Sequence, residues 1–321
     1  MAPNHALPLL DDRTVPQRPG EVRACMVVRN ESLRLPSTLA HYRQLGVDRF
    51  LVIDNGSDDG TLEFLRGQPD IHVFLTTDSF AESQCGLTWT NAILDAFCDG
   101  HWTLTVDADE LFIYPHVGQV GIHRFCRFLD SVGHKAVISL LLDMYSDKPL
   151  AETVHPPGGS LVATCPYFDS GPYQAVQVQA FPAVQFYGGV RQRLFKNALG
   201  GRYPAPTVSK VPLVKWRAGT RYLLATHAMT PVVLSDLIAA LLHFKFLDDF
   251  PLRAVTEARR GEHFDGASEY RAYVELVEQG WPVPLHAAES MRFEDADQLV
   301  RLGLMRSSPA YEQFLGAPTA G

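Results

Sequence analysis

A chain of 321 residues, 46% hydrophobic and 20% charged, is long enough to bury a sizeable core and has the composition of an ordinary globular enzyme. A formal net charge of -8 leaves no basic excess to offset a phosphate backbone, so nucleic acid is excluded as the expected partner. Five scattered cysteines (Cys25, Cys85, Cys98, Cys126, Cys165) form no C-x-x-C pair, which argues against a zinc cluster or disulfide framework and for a reducing cytoplasm.

Residues 1–20 are rich in proline and polar residues and lack the basic start and apolar run of a secretory signal. They are expected to form a flexible tail. No window reaches the roughly 18 consecutive apolar residues of a membrane span, and peripheral contact with the inner face of a membrane stays open.

The run "EVRACMVV" (21–28) predicts a buried strand. In "LPSTLAHYRQLG", Leu35, Leu39, Tyr42 and Leu45 fall on one helical face, with Pro36 in the first turn and Gly46 at the end. A second strand, "RFLVID" (49–54), precedes a short helix in "DGTLEFLRG". A third strand, "IHVFLT" (71–76), precedes a helix in "SQCGLTWTNAILDAFCDG", and "HWTLTVDADEL" (101–111) supplies a fourth. This alternation of apolar strands and helices without a hairpin predicts an α/β fold, a mostly parallel sheet flanked by helices. Further along, "HKAVISLLLDMYSD" contains another buried strand, and residues 160–217 hold strand-like pieces such as "GGVRQRLF". From Ser235 onward, "SDLIAALLHFKFLDDF" and "SEYRAYVELVEQ" read as helices. The expected organisation is a catalytic domain over 21–230, divided into a nucleotide-binding half (21–115) and an acceptor half (116–230). A helical extension over 231–321 would complete the site.

In parallel sheets ligands sit beyond the carboxyl ends of the strands. Asp54 ends the second strand, and Asp107 and Asp109 end the fourth. Two residues apart in extended geometry, Asp107 and Asp109 would project to one side and suit Mg2+ or Mn2+, with a substrate diphosphate completing the shell. A solvated acidic turn is the plain alternative. The stretch "LVIDNGSDDG" (51–60) fails as an EF-hand, because counting from Asn55 places Arg66, not a glutamate, at loop position twelve. It also fails as a hairpin, because "TLEFLRG" is a poor returning strand. Asp54 is left as a strand-end carboxylate suited to a base or ribose.

The segments "ACMVVRNESLRLPSTLAHYRQLGVDRFLVIDNGSDDGT" and "WTLTVDADELF" resemble the opening of a GT-A glycosyltransferase of the family 2-like group, with V-x-N-E and D-A-D-E motifs. "LLDMYSDKPL", "GGVRQRLF" and "LLHFKFL" fit the same group, so the resemblance spans about residues 21 to 250. It implies the nucleotide-diphospho-sugar transferase fold and a UDP- or GDP-sugar donor. The implied acceptor is a glycan or lipid-linked molecule of cell-surface polysaccharide synthesis. Arg29, Asn30 and Glu31 then contact the nucleotide, Asp54 the nucleoside, and Asp107 and Asp109 the metal. His243 is implied as a third metal ligand and Lys245 as a diphosphate cation. Where family 2 often has an Arg-Asn pair, this chain has Thr90-Asn91, which makes Asn91 the remaining candidate there.

Residue chemistry leaves alternatives at several of these positions. Asn30 and Glu31 also suit a helix cap. On a regular helix His243 and Lys245 diverge by about 200°, so both serve one site only if that segment bends. Arg191 and Arg193 would share one face of a strand and hold phosphate, or sit on an exposed edge. An inverting transfer needs a base for the acceptor hydroxyl. Asp147 in "DMYSD" is the first candidate, with Asp143 and Asp169 as alternatives. A sugar-1-phosphate nucleotidyltransferase would carry a glycine- and arginine-rich loop after strand one, which "VVRNESLRLP" lacks; a non-catalytic binding protein is opposed by the intact D-A-D. NAD chemistry is disfavoured by the missing G-x-G-x-x-G.

Overall fold

The computed structural model describes Leu7, Leu9, residues 13–281 and residues 284–317. Much of the expected N-terminal tail, and residues 282–283 and 318–321 of the expected C-terminal extension, lie outside the described residues. The first half follows the strand–helix rhythm of the sequence. β1 (Val22–Val28), α1 (Leu35–Leu45), β2 (Arg49–Asp54), α2 (Thr61–Arg66), β3 (Ile71–Leu75), α3 (Leu87–Phe97) and β4 (Trp102–Thr105) succeed one another. Pro36 sits in the first turn of α1, and Gly46 ends it at φ +100°, a left-handed conformation that costs glycine little.

After a tight turn, β5 (Glu110–Ile113) runs back, followed by α4 (Ile122–Ser131) and β6 (Ala136–Asp143). The middle of the chain is made of short pieces: α5 (Leu161–Thr164), β7 (Tyr167–Asp169), β8 (Tyr173–Gln177), β9 (Val184–Gly188) and α6 (Gly189–Arg193). Then come β10 (Ser209–Lys215), β11 (Tyr222–Leu224), β12 (Ala228–Met229) and β13 (Leu234–His243). The last segment holds α7 (Phe250–Arg260), α8 (Phe264–Glu278), β14 (Ser290–Arg292), α9 (Ala296–Arg301) and α10 (Pro309–Gly316).

The central sheet has eight strands in the order β3-β2-β1-β4-β10-β6-β13-β5. β10 is antiparallel to β4 and β6, and β5 is antiparallel to β13, while the other pairings are parallel. The protein is therefore a mixed α/β fold with a mostly parallel sheet, as the sequence predicts. Alternation explains why its strands look apolar throughout. Val22, Ala24, Met26 and Val28 of β1, with Phe50 and Val52 of β2, pack with Leu39, Tyr42, Phe125 and Tyr311 on one face. Cys25, Leu51 and Ile53 pack with Trp89, Ile93, Trp216 and Tyr222 on the other. A third cluster joins Val190, Leu194, Phe246, Phe250 and Tyr273 around α6, α7 and α8. No helix is long and apolar enough to cross a membrane, among the described residues.

Three local expectations are corrected. "SDLIAALLH", expected to be helical, forms β13, an interior strand between β6 and β5. Its near-continuous apolar run is buried in the sheet, and such a run does not reveal its period. "GGVRQRLF" is not a strand: β9 ends at Gly188, and a helix carries the chain through Arg193 and on to Ala198. Arg191 and Arg193 thus do not share a strand face. Finally, β4 ends at Thr105, so Asp107 and Asp109 lie in the turn between two strands rather than in extended chain.

Candidate active site

The D-A-D-E turn closes on itself. Glu110 N–H donates to the Asp107 carbonyl at 3.2 Å, and Asp107 N–H donates to Glu110 Oε2 at 3.1 Å. Phe244 N–H donates to the Asp109 carbonyl at 2.8 Å, which ties the turn to the end of β13. The sheet register does the rest. His243 pairs with Asp143 on one side and Glu110 on the other, so three strand ends bring these side chains together.

His243 Nε2 lies 3.3 Å from Asp109 Oδ2, and Nδ1 lies 2.5 Å from Asp143 Oδ1. Arg191 holds Asp143 through Nε at 2.9 Å and also brings Nη2 to 2.8 Å from His243 Nδ1. A guanidinium only donates, so Nδ1 cannot serve both neighbours. The shorter, charge-assisted contact assigns its hydrogen to Asp143, leaving Nε2 turned towards Asp109. Burial works against an imidazolium here, yet Asp109 and Asp143 raise the His243 pKa. Burial likewise opposes ionisation of Asp109, but His243 overrides it and holds that carboxyl well below the usual range.

Ligand atoms of Asp109, Glu110 and His243 all lie within 4.8 Å of one another, and all three residues are buried. Two hard carboxylates with an imidazole are a donor set for a divalent cation, and Asp143 orients the histidine from behind. Asp107 stands slightly apart, with its side chain 60% exposed and its Oδ2 2.7 Å from Lys210 Nζ. The same ammonium lies 2.5 Å from Glu110 Oε1.

These groups floor a cavity of about 430 Å3, within the usual range for small-molecule sites. Arg29, Arg191, Lys210, Lys245, Arg253 and Arg260 bring positive charge to it, and Phe80, His263 and Phe264 are among its apolar and aromatic walls. Most of the cations are paired: Lys245 with Glu269 at 2.7 Å, Arg260 with Glu257 at 2.7 Å, and Arg253 with Glu31. Arg29 is different. Its Nη1 donates to the Asn55 carbonyl at 2.6 Å, and it makes no ion pair among the described residues. α8 begins with a left-handed turn, Asp265, Gly266 and Ala267 having φ of 51°, 58° and 63°. This turn carries Phe264, 70% exposed, beside the cavity.

Of the residues singled out in the sequence, Arg29, Glu31, Asp107, Asp109, Arg191, His243 and Lys245 line this cavity. Asn30 does not. At φ +54° it pins the loop after β2, exchanging hydrogen bonds with Asp58 at 2.8 and 2.9 Å. Asp54 lies directly beneath that loop, fully buried; its Oδ1 accepts from Ser57 N–H at 3.0 Å, and its Oδ2 has no partner. Asn91 is occupied with the backbone of Tyr222, 3.0 Å in each direction, away from the cavity. Asp143 lies behind His243. Asp169 is buried and held by Arg193 at 2.7 Å and by Tyr145. Asp147 is exposed in a separate groove with Lys148 and Arg292.

Sequence reasoning missed Glu110, Lys210, His227, Arg253 and Glu269. Glu110 stood within the D-A-D-E motif and was quoted without a role. The other four come from segments without a motif, and only the fold brings them here.

No family model matches the sequence, and no curated protein matches it. Solved structures overlap it loosely. Residues 1–349 of TarS from S. aureus share 13% identity, covering 81% of this chain and 72% of that one, with a TM-score of 0.30. A candidate glucose-1-phosphate thymidylyltransferase from Bacillus anthracis, in complex with a sucrose, shares 9%, covering 81% and 84%, with a TM-score of 0.31. Overlaps this loose carry no weight for function, which has to be read from the cavity.

Proposed function

We propose that this chain is a metal-dependent glycosyltransferase of the GT-A, family 2-like type, which moves a sugar from a nucleoside-diphosphate sugar to an acceptor hydroxyl. The observation that carries the reading is the cluster of Asp109, Glu110 and His243. It lies on the floor of a cation-lined cavity at the carboxyl end of the parallel strands, where such sheets bind their ligands.

The donor set fits Mn2+ or Mg2+, with Asp109, Glu110 and His243 as the protein ligands and Asp107 at the exposed edge. When bound, the cation supplies Lewis-acid stabilisation of the departing diphosphate oxygens. The protein's own residues do the remaining work. Arg29, unpaired among the described residues, offers a guanidinium to a phosphate group. Lys245 and Arg253, held by Glu269 and Glu31, add fixed positive charge where negative charge develops. Asp143 keeps the His243 ring oriented. Asp54 keeps its assigned nucleoside role through its unpartnered Oδ2, which is reached only if the loop pinned by Asn30 shifts. A glycan or lipid-linked acceptor at the cytoplasmic face of a membrane belongs to the same proposal.

A thermal-shift screen over UDP-glucose, UDP-N-acetylglucosamine and GDP-mannose, with and without Mn2+, tests the reading. A ligand present at about a hundred times its Kd stabilises by about 2.7 kcal/mol, so at least one donor should raise the melting temperature in a metal-dependent way. No shift with any donor under any metal condition refutes the proposal.

A further inference from the structure

An inverting transfer requires a group that removes the acceptor proton, and the carboxylates are poorly placed for it. Asp147 faces a different groove. Asp143 is held by Arg191 and His243, and Asp169 by Arg193 and Tyr145. The six carboxylates that line the cavity are each within reach of a cation or imidazole: Glu31 of Arg253, Asp107 and Glu110 of Lys210, Asp109 of His243, Glu257 of Arg260, and Glu269 of Lys245. Burial resists ionisation at all six, but the neighbouring cation or imidazole wins at Asp107, Asp109, Glu257 and Glu269 and lowers their affinity for a proton. At Glu31 and Glu110 burial wins and raises it, but Glu31 is held between Arg253 and Arg34, and both oxygens of Glu110 are taken by Lys210 and the Asp107 N–H.

His227 is in a different position. It lies in the turn between β11 and β12, and lines the cavity half-buried. That turn is fastened to β10 by Val211 N–H to the Thr226 carbonyl at 2.7 Å and by the Tyr222 hydroxyl to the Val211 carbonyl at 2.9 Å. His227 Nδ1 lies 2.6 Å from the Ser209 carbonyl. A carbonyl only accepts, so Nδ1 carries the hydrogen and Nε2 carries a lone pair. Among the described residues Nε2 has no hydrogen-bond partner, and it is not among the buried unpartnered atoms. Ser209 is followed directly by Lys210, so the imidazole is anchored next to the residue whose ammonium bridges Asp107 and Glu110.

Resting on the glycosyltransferase reading above, we propose that His227 is the catalytic base, its Nε2 accepting the proton of the acceptor hydroxyl. The acceptor oxygen forms a bond to the anomeric carbon as the bond from that carbon to the diphosphate oxygen breaks. The bonding pair leaves with the nucleoside diphosphate, the hydroxyl proton passes to Nε2, and the resulting imidazolium returns it to solvent. Burial, followed by the charge of Lys210, holds the resting imidazole down to about 4, so it waits in the basic form at neutral pH. Arg191 pushes the same way and Asp107 opposes. The donor's diphosphate brings negative charge into this cavity, which raises the proton affinity of Nε2 when transfer needs it.

The test compares wild-type protein with His227→Ala and His227→Gln, using whichever nucleotide sugar the thermal screen selects and water as the acceptor probe. Binding of the matching nucleoside diphosphate with Mn2+ is measured by titration calorimetry, and turnover by its release. Binding should persist, while turnover falls by about 10²–10⁴-fold and added imidazole restores part of it in His227→Ala. A structural role would not respond to imidazole. Turnover within a few-fold of wild type in both variants overturns the assignment, and so does loss of nucleotide binding in step with turnover. If wild-type protein binds no nucleotide sugar, the glycosyltransferase reading falls, and the base role falls with it. A wild type that binds and turns over beside equally active variants removes His227 alone.

Discussion

Lys210→Met removes the ammonium but keeps most of the apolar stem. Its partner Glu110 is only 1% exposed, and Lys210 itself only 9%, so the pair is buried. Breaking a buried pair from one side costs about 3–5 kcal/mol, because the remaining charge is left without compensation. At roughly 2 °C of melting temperature per kcal/mol for a chain of this size, a drop of about 6 °C or more is expected without metal. The effect on metal binding has the opposite sign. A divalent ion about 5 Å from an ammonium, at an effective dielectric of about 20, is opposed by roughly 7 kcal/mol before water and salt screen it. Even a quarter of that is about tenfold in affinity. Lys210→Met should therefore melt early without metal, bind Mn2+ at least about tenfold more tightly than wild type, and recover most of its lost stability when Mn2+ is added. Melting curves by circular dichroism and Mn2+ titration calorimetry read these effects. Wild-type stability without metal, or unchanged or weaker Mn2+ binding, would refute the reasoning that Lys210 and a cation share Glu110.

Two further outcomes are expected. Asp147→Asn should leave nucleotide affinity and turnover within about twofold of wild type, as for an exposed side chain outside the cavity; a large loss of turnover would return the base role to Asp147. Acid should loosen the cavity wall formed by α7 and α8. Burial pushes Glu257 and Glu269 upward, but His263 and Arg260 at the first, and Lys245 and Arg191 at the second, hold both down to about 2 from a usual 4.5. Folded-state values below unfolded ones mean this stability is present above about 4.5 and lost as pH falls towards 2. Melting temperatures measured across that window should fall less in a Glu257→Gln, Glu269→Gln double variant than in wild type. An equal fall in the two proteins would contradict the assignment.

The sequence made the first half of the fold legible because each strand there is short, apolar and bounded by recognisable helix signals. Pro36 and Gly46 mark α1 as clearly in the structure as in the sequence. β13 was illegible for the opposite reason: "LIAALLH" is buried in the sheet interior, and burial on both faces erases the alternation that separates strand from helix. The same misreading left His243 on a diverging helical face, whereas a strand end aligns it with Asp143 and Glu110. Lys210 was invisible, since "SKVPLVK" is an ordinary strand until β10 is placed between β4 and β6. His227 depends on one bond to the Ser209 carbonyl, a contact that no residue spacing announces. Asp107 and Asp109 were legible as a pair but not in their division of labour. A turn, not an extended strand, leaves one exposed beside Lys210 and buries the other beside His243.

The central claim is that a nucleoside diphosphate and a divalent cation meet at Asp109. Calorimetric titration of UDP and GDP into wild-type protein and Asp109→Ala, each with and without Mn2+, tests it most directly. At least one nucleotide should bind wild-type protein about tenfold or more tightly with Mn2+, and that metal dependence should disappear in Asp109→Ala. Binding that ignores Mn2+ in wild-type protein, or metal dependence that survives intact in Asp109→Ala, would contradict the account.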